Sequence, residues 1–199
     1  MLTLRSSPAS PFGRKVKIVA KLLGLMDGIE VVATSTTEPD DPIRALNPLG
    51  KIPALELGDG VTLFDSRVIV EYLDHLAGGG RIIPSDPDAR FEALRLQALC
   101  DGLCDAALLQ VYEFRLRAED ERSQTWLDLQ AGKVTRALAA LEASPPPVEQ
   151  EIGQIALACA LGYLDLRFEG RWREDHPTLV AWLDDFAAAT PAYAETAPH

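Results

Sequence analysis

The sequence predicts an α/β first domain joined to an all-α second domain, and three observations carry that prediction. Residues 1–77 alternate short strand-like runs with helical ones, each break marked by Gly, Pro or Asp. Gly78-Gly79-Gly80 then interrupts the chain, and beyond it the β-branched runs disappear. Finally, Ile155-Ala-Leu-Ala-Cys-Ala-Leu-Gly-Tyr-Leu164 is apolar all round, the pattern of a helix buried on every side.

In chain order, Leu2 and Leu4 alternate with polar neighbours as a first strand does. Val16, Val19, Ala20 and Leu23 repeat at helical spacing until Gly24 stops them. Ile29 to Val32 form a second strand. Pro53 to Leu57 and Val61 to Phe64 form a hairpin across Gly58-Asp59-Gly60, and Ile69, Tyr72, Leu73 and Leu76 mark a closing helix. The expected division is 1–77, a linker over 78–86, and a helical domain over 87–199. Asp86-Pro87 places a capping acid before a proline at the first helical position, opening a helix to about Arg117. Ser123 to Ala143 form the next, with Trp126, Val134, Leu138 and Leu141 on one face, until Ser144-Pro-Pro-Pro147 ends it. His176-Pro177 introduces a last helix with Leu179, Trp182, Leu183 and Phe186 at core spacing.

Composition narrows the function. A chain that is 47% hydrophobic and 25% charged is that of an ordinary globular protein rather than a disordered one. Its 19 basic and 30 acidic residues give a net charge of −11, which repels phosphate backbones and anionic membranes, so neither nucleic acid nor a membrane is an expected partner. The excess is uneven: residues 1–80 carry 8 basic and 10 acidic groups, residues 81–199 carry 11 and 20. The first part therefore hosts an anionic ligand more easily. Three cysteines are too few for a secreted disulfide framework, the opening residues lack the apolar core of a signal peptide, and no run approaches the roughly 18 apolar residues of a membrane span. The expected compartment is the cytoplasm.

Three clusters carry candidate chemistry. At Ser10-Pro11-Phe12, Pro11 suits the first helical position and makes Ser10 the N-cap, beside free N–H groups and the positive end of the helix dipole. Alone, such a serine only caps its helix. Asn47-Pro-Leu-Gly-Lys-Ile-Pro53 is a loop shaped by its prolines and glycine. A cis Ile52–Pro53 bond would let the Ile52 backbone face a peptide ligand as an added strand does, whereas a trans bond would make Pro53 an ordinary strand start. At Asp65-Ser66 a hydroxyl and free N–H groups can hold a carboxylate and the acid an ammonium, or the pair can simply cap a helix.

Ser10-Pro-Phe-Gly-Arg-Lys-Val16, Asn47-Pro-Leu-Gly-Lys-Ile-Pro53, Asp65-Ser-Arg-Val-Ile-Val-Glu-Tyr-Leu73 and Ile155 to Asp165 stand in the order and spacing of cytosolic glutathione S-transferases. The chain resembles the short bacterial members with serine before Pro-Phe, down to Pro191-Ala-Tyr193 and Glu195-Thr-Ala-Pro198 at its end. The resemblance implies a thioredoxin-like first domain, a homodimer, and glutathione as co-substrate with no metal. It makes Pro53 the cis-proline and Ile52 the backbone partner of the cysteinyl unit. Asp65 and Ser66 grip the γ-glutamyl end, Lys51 approaches the glycyl carboxylate, and Ser10 faces the sulfur.

On that reading Ser10 donates a hydrogen bond that stabilises the thiolate, since a free thiol of pKa about 8.5 is mostly protonated at neutral pH. No cysteine precedes Cys100, which disfavours disulfide exchange and leaves conjugation, peroxide reduction, isomerisation or dehalogenation. The electrophile is expected between the domains, against Phe12, Leu103, Ala107, Tyr112 and Phe114. Two rivals share the fold: a binding or regulatory protein without turnover, and an interaction module with a closed cleft. Cys100 and Cys104 share a helix face without a histidine to complete a zinc set, and His75, His176 and His199 form no catalytic group. One departure concerns the buried helix, where Glu151-Ile-Gly-Gln154 replaces the family's Ser/Thr-x-x-Asp box. Gln154 is expected to reach back from its third position.

Overall fold

The computed structural model describes residues 1–198, and His199 lies outside the described residues. The first 76 residues build β1 (Leu2–Ser6), α1 (Pro11–Leu22), β2 (Ile29–Ala33), α2 (Ile43–Leu46), β3 (Ala54–Glu56), β4 (Thr62–Leu63) and α3 (Ser66–Leu76). The sheet order is β2-β1-β3-β4, with β1 parallel to β2 and antiparallel to β3, and β4 antiparallel to β3. Leu4 and Leu55 pair across its centre and are fully buried. Both hairpin strands are shorter than the hydrophobic runs that predict them, and the one-turn helix α2 has no periodic signal.

After Leu76 the rest of the described chain is helical: α4 (Pro87–Leu116), α5 (Gln124–Ala143), α6 (Ile152–Phe168), α7 (Pro177–Ala189) and α8 (Pro191–Glu195), with short 3-10 turns between some of them. Asp86 and Ser123 cap α4 and α5 by accepting from Ala89 N (3.0 Å) and Trp126 N (3.3 Å). The start of α7 is served from outside, where the Glu142 carboxylate of α5 accepts from Thr178 N and Leu179 N, each at 2.9 Å. The segment over residues 78–86 is pinned. Buried Asp74 accepts from the backbone N–H groups of Gly80, Arg81 and Ile82 at 2.9–3.1 Å, and Ile82 and Ile83 enter the core.

Every residue of α6 from Ile152 to Leu164 is buried, and the helix packs chiefly against α4 and α1. Its start corrects an expectation: the Gln154 Oε1 is buried without a hydrogen-bond partner, and Glu151 makes no side-chain cap. The backbone supplies the alternative, because Ile152 N donates to Ile82 O at 2.9 Å, satisfying one of the free N–H groups of the first turn. Among the described residues no helix is long and apolar enough to cross a membrane.

Close packing of α4 on α6 depends on Gly153. A Cβ there would lie 2.8 Å from Leu96 Cδ2, 2.9 Å from Leu96 Cβ and 3.0 Å from the Ala93 carbonyl oxygen. Gly153→Ala is therefore expected to lower unfolding free energy by about 1–3 kcal/mol through overpacking, read as an earlier urea midpoint at unchanged slope.

Candidate functional site

β1 feeds α1 through Ser7-Pro8-Ala9, and the geometry of that turn is set by Gly13. A Cβ on Gly13 would overlap the Ser6 Oγ and lie 3.2 Å from the Ser6 Cβ, so glycine lets the first turn of α1 sit close on the end of β1 without moving the Ser6 hydroxyl. Ser10 then caps the helix: its Oγ accepts from Gly13 N at 3.1 Å, its carbonyl accepts from Arg14 N at 2.9 Å, and Pro11 takes the first helical position. With Oγ accepting, the Ser10 hydroxyl proton remains available for donation.

In the second cluster the Ile52–Pro53 bond is cis. The loop before it is shaped by Asn47, which is buried, donates through Nδ2 to Lys51 O at 2.8 Å and accepts through Oδ1 from Leu49 N at 3.0 Å. Gly50 supplies the positive φ of 60° that the turn requires. The backbone N–H and C=O of Ile52 make no hydrogen bond within the described residues, while the Lys51 side chain is exposed. In the third cluster Asp65 caps α3 by accepting from Arg67 N at 2.9 Å, Ser66 is the buried first residue of that helix, and the Phe64–Asp65 bond is also cis.

A group not singled out from the sequence lies behind these clusters. Lys15 of α1 is 1% exposed, and its Nζ lies 2.7 and 2.9 Å from the two carboxylate oxygens of Asp101, which is 4% exposed on α4. Arg67, one residue beyond Ser66, donates from Nε to Asp101 Oδ2 at 3.0 Å. One carboxylate thus fixes α1, α3 and α4 relative to each other. Its trace in the sequence is faint, since Lys15 is one of three cations in Arg14-Lys-Val-Lys17 and Asp101 is one of several polar residues on α4. Removing one partner of a buried pair strands the other, so Asp101→Ala is expected to cost about 3–5 kcal/mol of stability, measured by denaturant unfolding.

The residues proposed to meet an electrophile differ in burial. Phe12 is half-buried, with its ring centroid 5.9 Å from Lys15 Nζ, and Tyr112 is also half-buried. Phe114 is largely exposed and lies 5.0 Å from the Arg122 guanidinium. Leu103 and Ala107 belong to the buried core. Ser10 instead shares a narrow cleft of about 10 Å³ with Pro8, Arg14, Cys159, Tyr163 and Leu166, a contribution of α6 that its uniformly apolar sequence does not signal. Burial pushes the Tyr163 phenol up to about 12, so at neutral pH it is a hydroxyl donor rather than an anion.

Among the described residues no group of three or more His, Cys, Asp and Glu is placed to hold a metal ion. His75 lies in the last turn of α3, and His176 precedes α7 with Nδ1 2.7 Å from the Trp172 carbonyl. The three cysteines are unpaired and buried. Burial pushes all three thiols up, that of Cys159 to about 11, with Arg14 and Lys15 offsetting only part of the rise. Aromatic disulfide reagents at neutral pH are therefore expected to modify none of them in the native protein and all three after unfolding in urea.

Comparison with known proteins agrees with this architecture. The glutathione S-transferase N-terminal domain pattern matches residues 9–76. The uncharacterized GST-like protein YibF of Escherichia coli strain K12 is 31% identical over 203 residues, covering 99% of this chain and 98% of that protein. A glutathione transferase family member from Pseudomonas fluorescens Pf-5, solved with bound glutathione, superposes over the full length of both chains with a TM-score of 0.93 at 43% identity. A glutathione S-transferase from Methylobacillus flagellatus KT, also solved with glutathione, does so with a TM-score of 0.92 at 35% identity. With a four-stranded α/β unit, an all-helical unit and full-length relatives of this kind, the chain belongs to the glutathione S-transferase family.

Proposed function

We propose that the protein is a glutathione transferase that binds glutathione against the Ile52 backbone, Asp65 and Ser66, and uses Ser10 to hold the sulfur as a thiolate for attack on an electrophilic small molecule. The observation that carries this reading is the Ser10 hydroxyl, fixed by Gly13 N with its own proton free, at the N-terminus of α1. The cis Ile52–Pro53 bond supports it, because the unpaired N–H and C=O of Ile52 can engage the cysteinyl unit as an added strand would. Lys51 supplies a cation for the glycyl carboxylate, and the Asp65 and Ser66 pair suits an amino-acid head group. The Pseudomonas fluorescens relative has been solved with S-(propanoic acid)-glutathione as well as with glutathione, which supports a site for a substituent on the sulfur.

The same reading divides the chain into a glutathione-binding domain over 1–77, a connecting segment over 78–86 and a helical domain from 87 onward, working in the reducing cytoplasm. It includes a second copy as partner, with exposed Leu49, Val68 and Phe91 as apolar surface to be covered. The narrowness of the cleft at Ser10 favours a second reading, glutathione binding without turnover. Turnover of a panel of electrophiles separates the two.

Calorimetric titration with reduced glutathione is expected to give one site per chain. A serine is a poor base, so its contribution is a hydrogen bond that favours the charged sulfur over the neutral thiol. Ser10→Ala is expected to raise the pKa of bound glutathione by about one unit, a loss of about 1.4 kcal/mol of thiolate preference, with affinity largely kept. Thiolate ultraviolet absorbance against pH measures it. The conjugation rate of the variant should then rise only at higher pH, and an unchanged titration removes Ser10 from the mechanism.

A further inference from the structure

We infer that Arg14 is the anchor for a carboxylate carried by the second substrate, which makes electrophiles bearing an acid group the preferred class. This rests on the glutathione-transferase reading above and adds to it a specificity-determining residue. Arg14 is 6% exposed, and no carboxylate among the described residues lies within ion-pairing distance of it. Its Nη2 donates to the Tyr193 carbonyl at 2.6 Å, its guanidinium carbon lies 3.9 Å from the centroid of the Tyr193 ring, and its Nε is buried without a partner. Among the described residues this buried cation meets the Tyr193 carbonyl, ring and phenol but no carboxylate, whereas a buried charge ordinarily has an anionic partner.

The place of Arg14 indicates where that anion belongs. It lines the cleft that holds Ser10, and it also lines an open cavity of about 460 Å³ that shares Gly162, Leu166 and Pro198 with that cleft and lies between α6, α7 and α8. Two acids line this second cavity. Asp165 is already engaged by Arg173 at 2.7 and 2.9 Å and by Trp172 Nε1 at 2.8 Å, while Asp184 makes no ion pair within the described residues. Arg14 is thus the cation common to the sulfur-facing cleft and the larger space beside it. Room for the guanidinium is provided by Gly162: a Cβ there would stand 2.6 Å from Arg14 Nη1 and 2.7 Å from Tyr193 Oη. Nε is enclosed and Nη2 is engaged, so Nη1 is the guanidinium nitrogen left to face a ligand, and beside the cleft that holds Ser10 it suits a short carboxylate chain attached to the electrophilic carbon.

The test compares two S-substituted glutathiones of matched shape, S-(2-carboxyethyl)glutathione and its primary amide, S-(2-carbamoylethyl)glutathione, by calorimetric titration of the full chain. The wild type is expected to bind the acid about tenfold or more tightly than the amide, as for a charge-assisted hydrogen bond. Arg14→Gln should abolish that ratio and Arg14→Lys should keep part of it, both with the amide bound as in the wild type. A wild-type ratio near one overturns the proposal without any need for a variant, as does an unchanged ratio in a folded Arg14→Gln. Weaker binding of acid and amide alike in Arg14→Gln also overturns it, and assigns Arg14 to holding the C-terminal segment. If reduced glutathione itself does not bind, the underlying reading fails and the subsite falls with it, a result distinct from tight glutathione binding without acid preference.

Discussion

The architecture depends on a buried ion pair. An ammonium in an apolar interior is tolerated only with a carboxylate against it, and for Lys15 that carboxylate is Asp101, on a different helix and in the other half of the chain. Satisfying Lys15 therefore requires α1 and α4 to meet in one register. Because Arg67 shares the same carboxylate, α3 is held as well. Those helices begin at the residues proposed to face glutathione, Ser10 capping α1 and Asp65 and Ser66 at the start of α3. The pair contributes little net stability in itself, since desolvating two charges offsets much of their attraction. Its consequence is positional: any displacement that separated the helices would leave an uncompensated charge.

Around that pair the packing follows from where side chains are missing. Gly13 admits the Ser6 hydroxyl, Gly153 admits Leu96, and Gly162 admits Arg14 and Tyr193. Two of these lie in α6, where an interior glycine ordinarily costs about 1 kcal/mol relative to alanine. The cost is offset by apolar area that α4 and α1 bury against a helix enclosed along its first thirteen residues. A helix buried on every side cannot rely on water for its free N–H groups, and the Ile82 carbonyl at its first turn meets that need.

Helical periodicity and the punctuation by Pro, Gly and capping residues made α1, α3, α4, α5 and α7 legible within a residue or two, because those signals are local. The cis Ile52–Pro53 bond stood as one of two alternatives, since a proline preceding a strand is compatible with either isomer. Long-range features were not legible. Lys15 and Asp101 are separated by 86 residues, and nothing in either segment names the other. The role of Gln154 was misjudged for the same reason, since the group that serves the α6 terminus comes from residue 82, outside any local motif. Leu103 and Ala107 show a further limit, because an apolar residue on a helix reads alike whether it faces a cleft or the core.

The electrostatic contrast within the molecule bears on anion binding. A chain of net charge −11 repels an anion at long range, and glutathione is itself an anion. The helix α1 nevertheless carries four cations and no acid in its twelve residues. Two are spoken for, Lys15 by Asp101 and Lys21 by Glu195 at 2.8 Å. Arg14 and Lys17 are left without acidic partners within the described residues, and burial, with a smaller push from Arg14, pulls the Lys17 pKa down from its ordinary value. Mobile ions screen the long-range field beyond about 8 Å at physiological ionic strength, whereas charges on α1 and its dipole act at contact distance in a partly desolvated cleft. Screening thus blunts the repulsion of the acidic surface, and under the proposed function the charges and dipole of α1 are what act on an anion at the cleft.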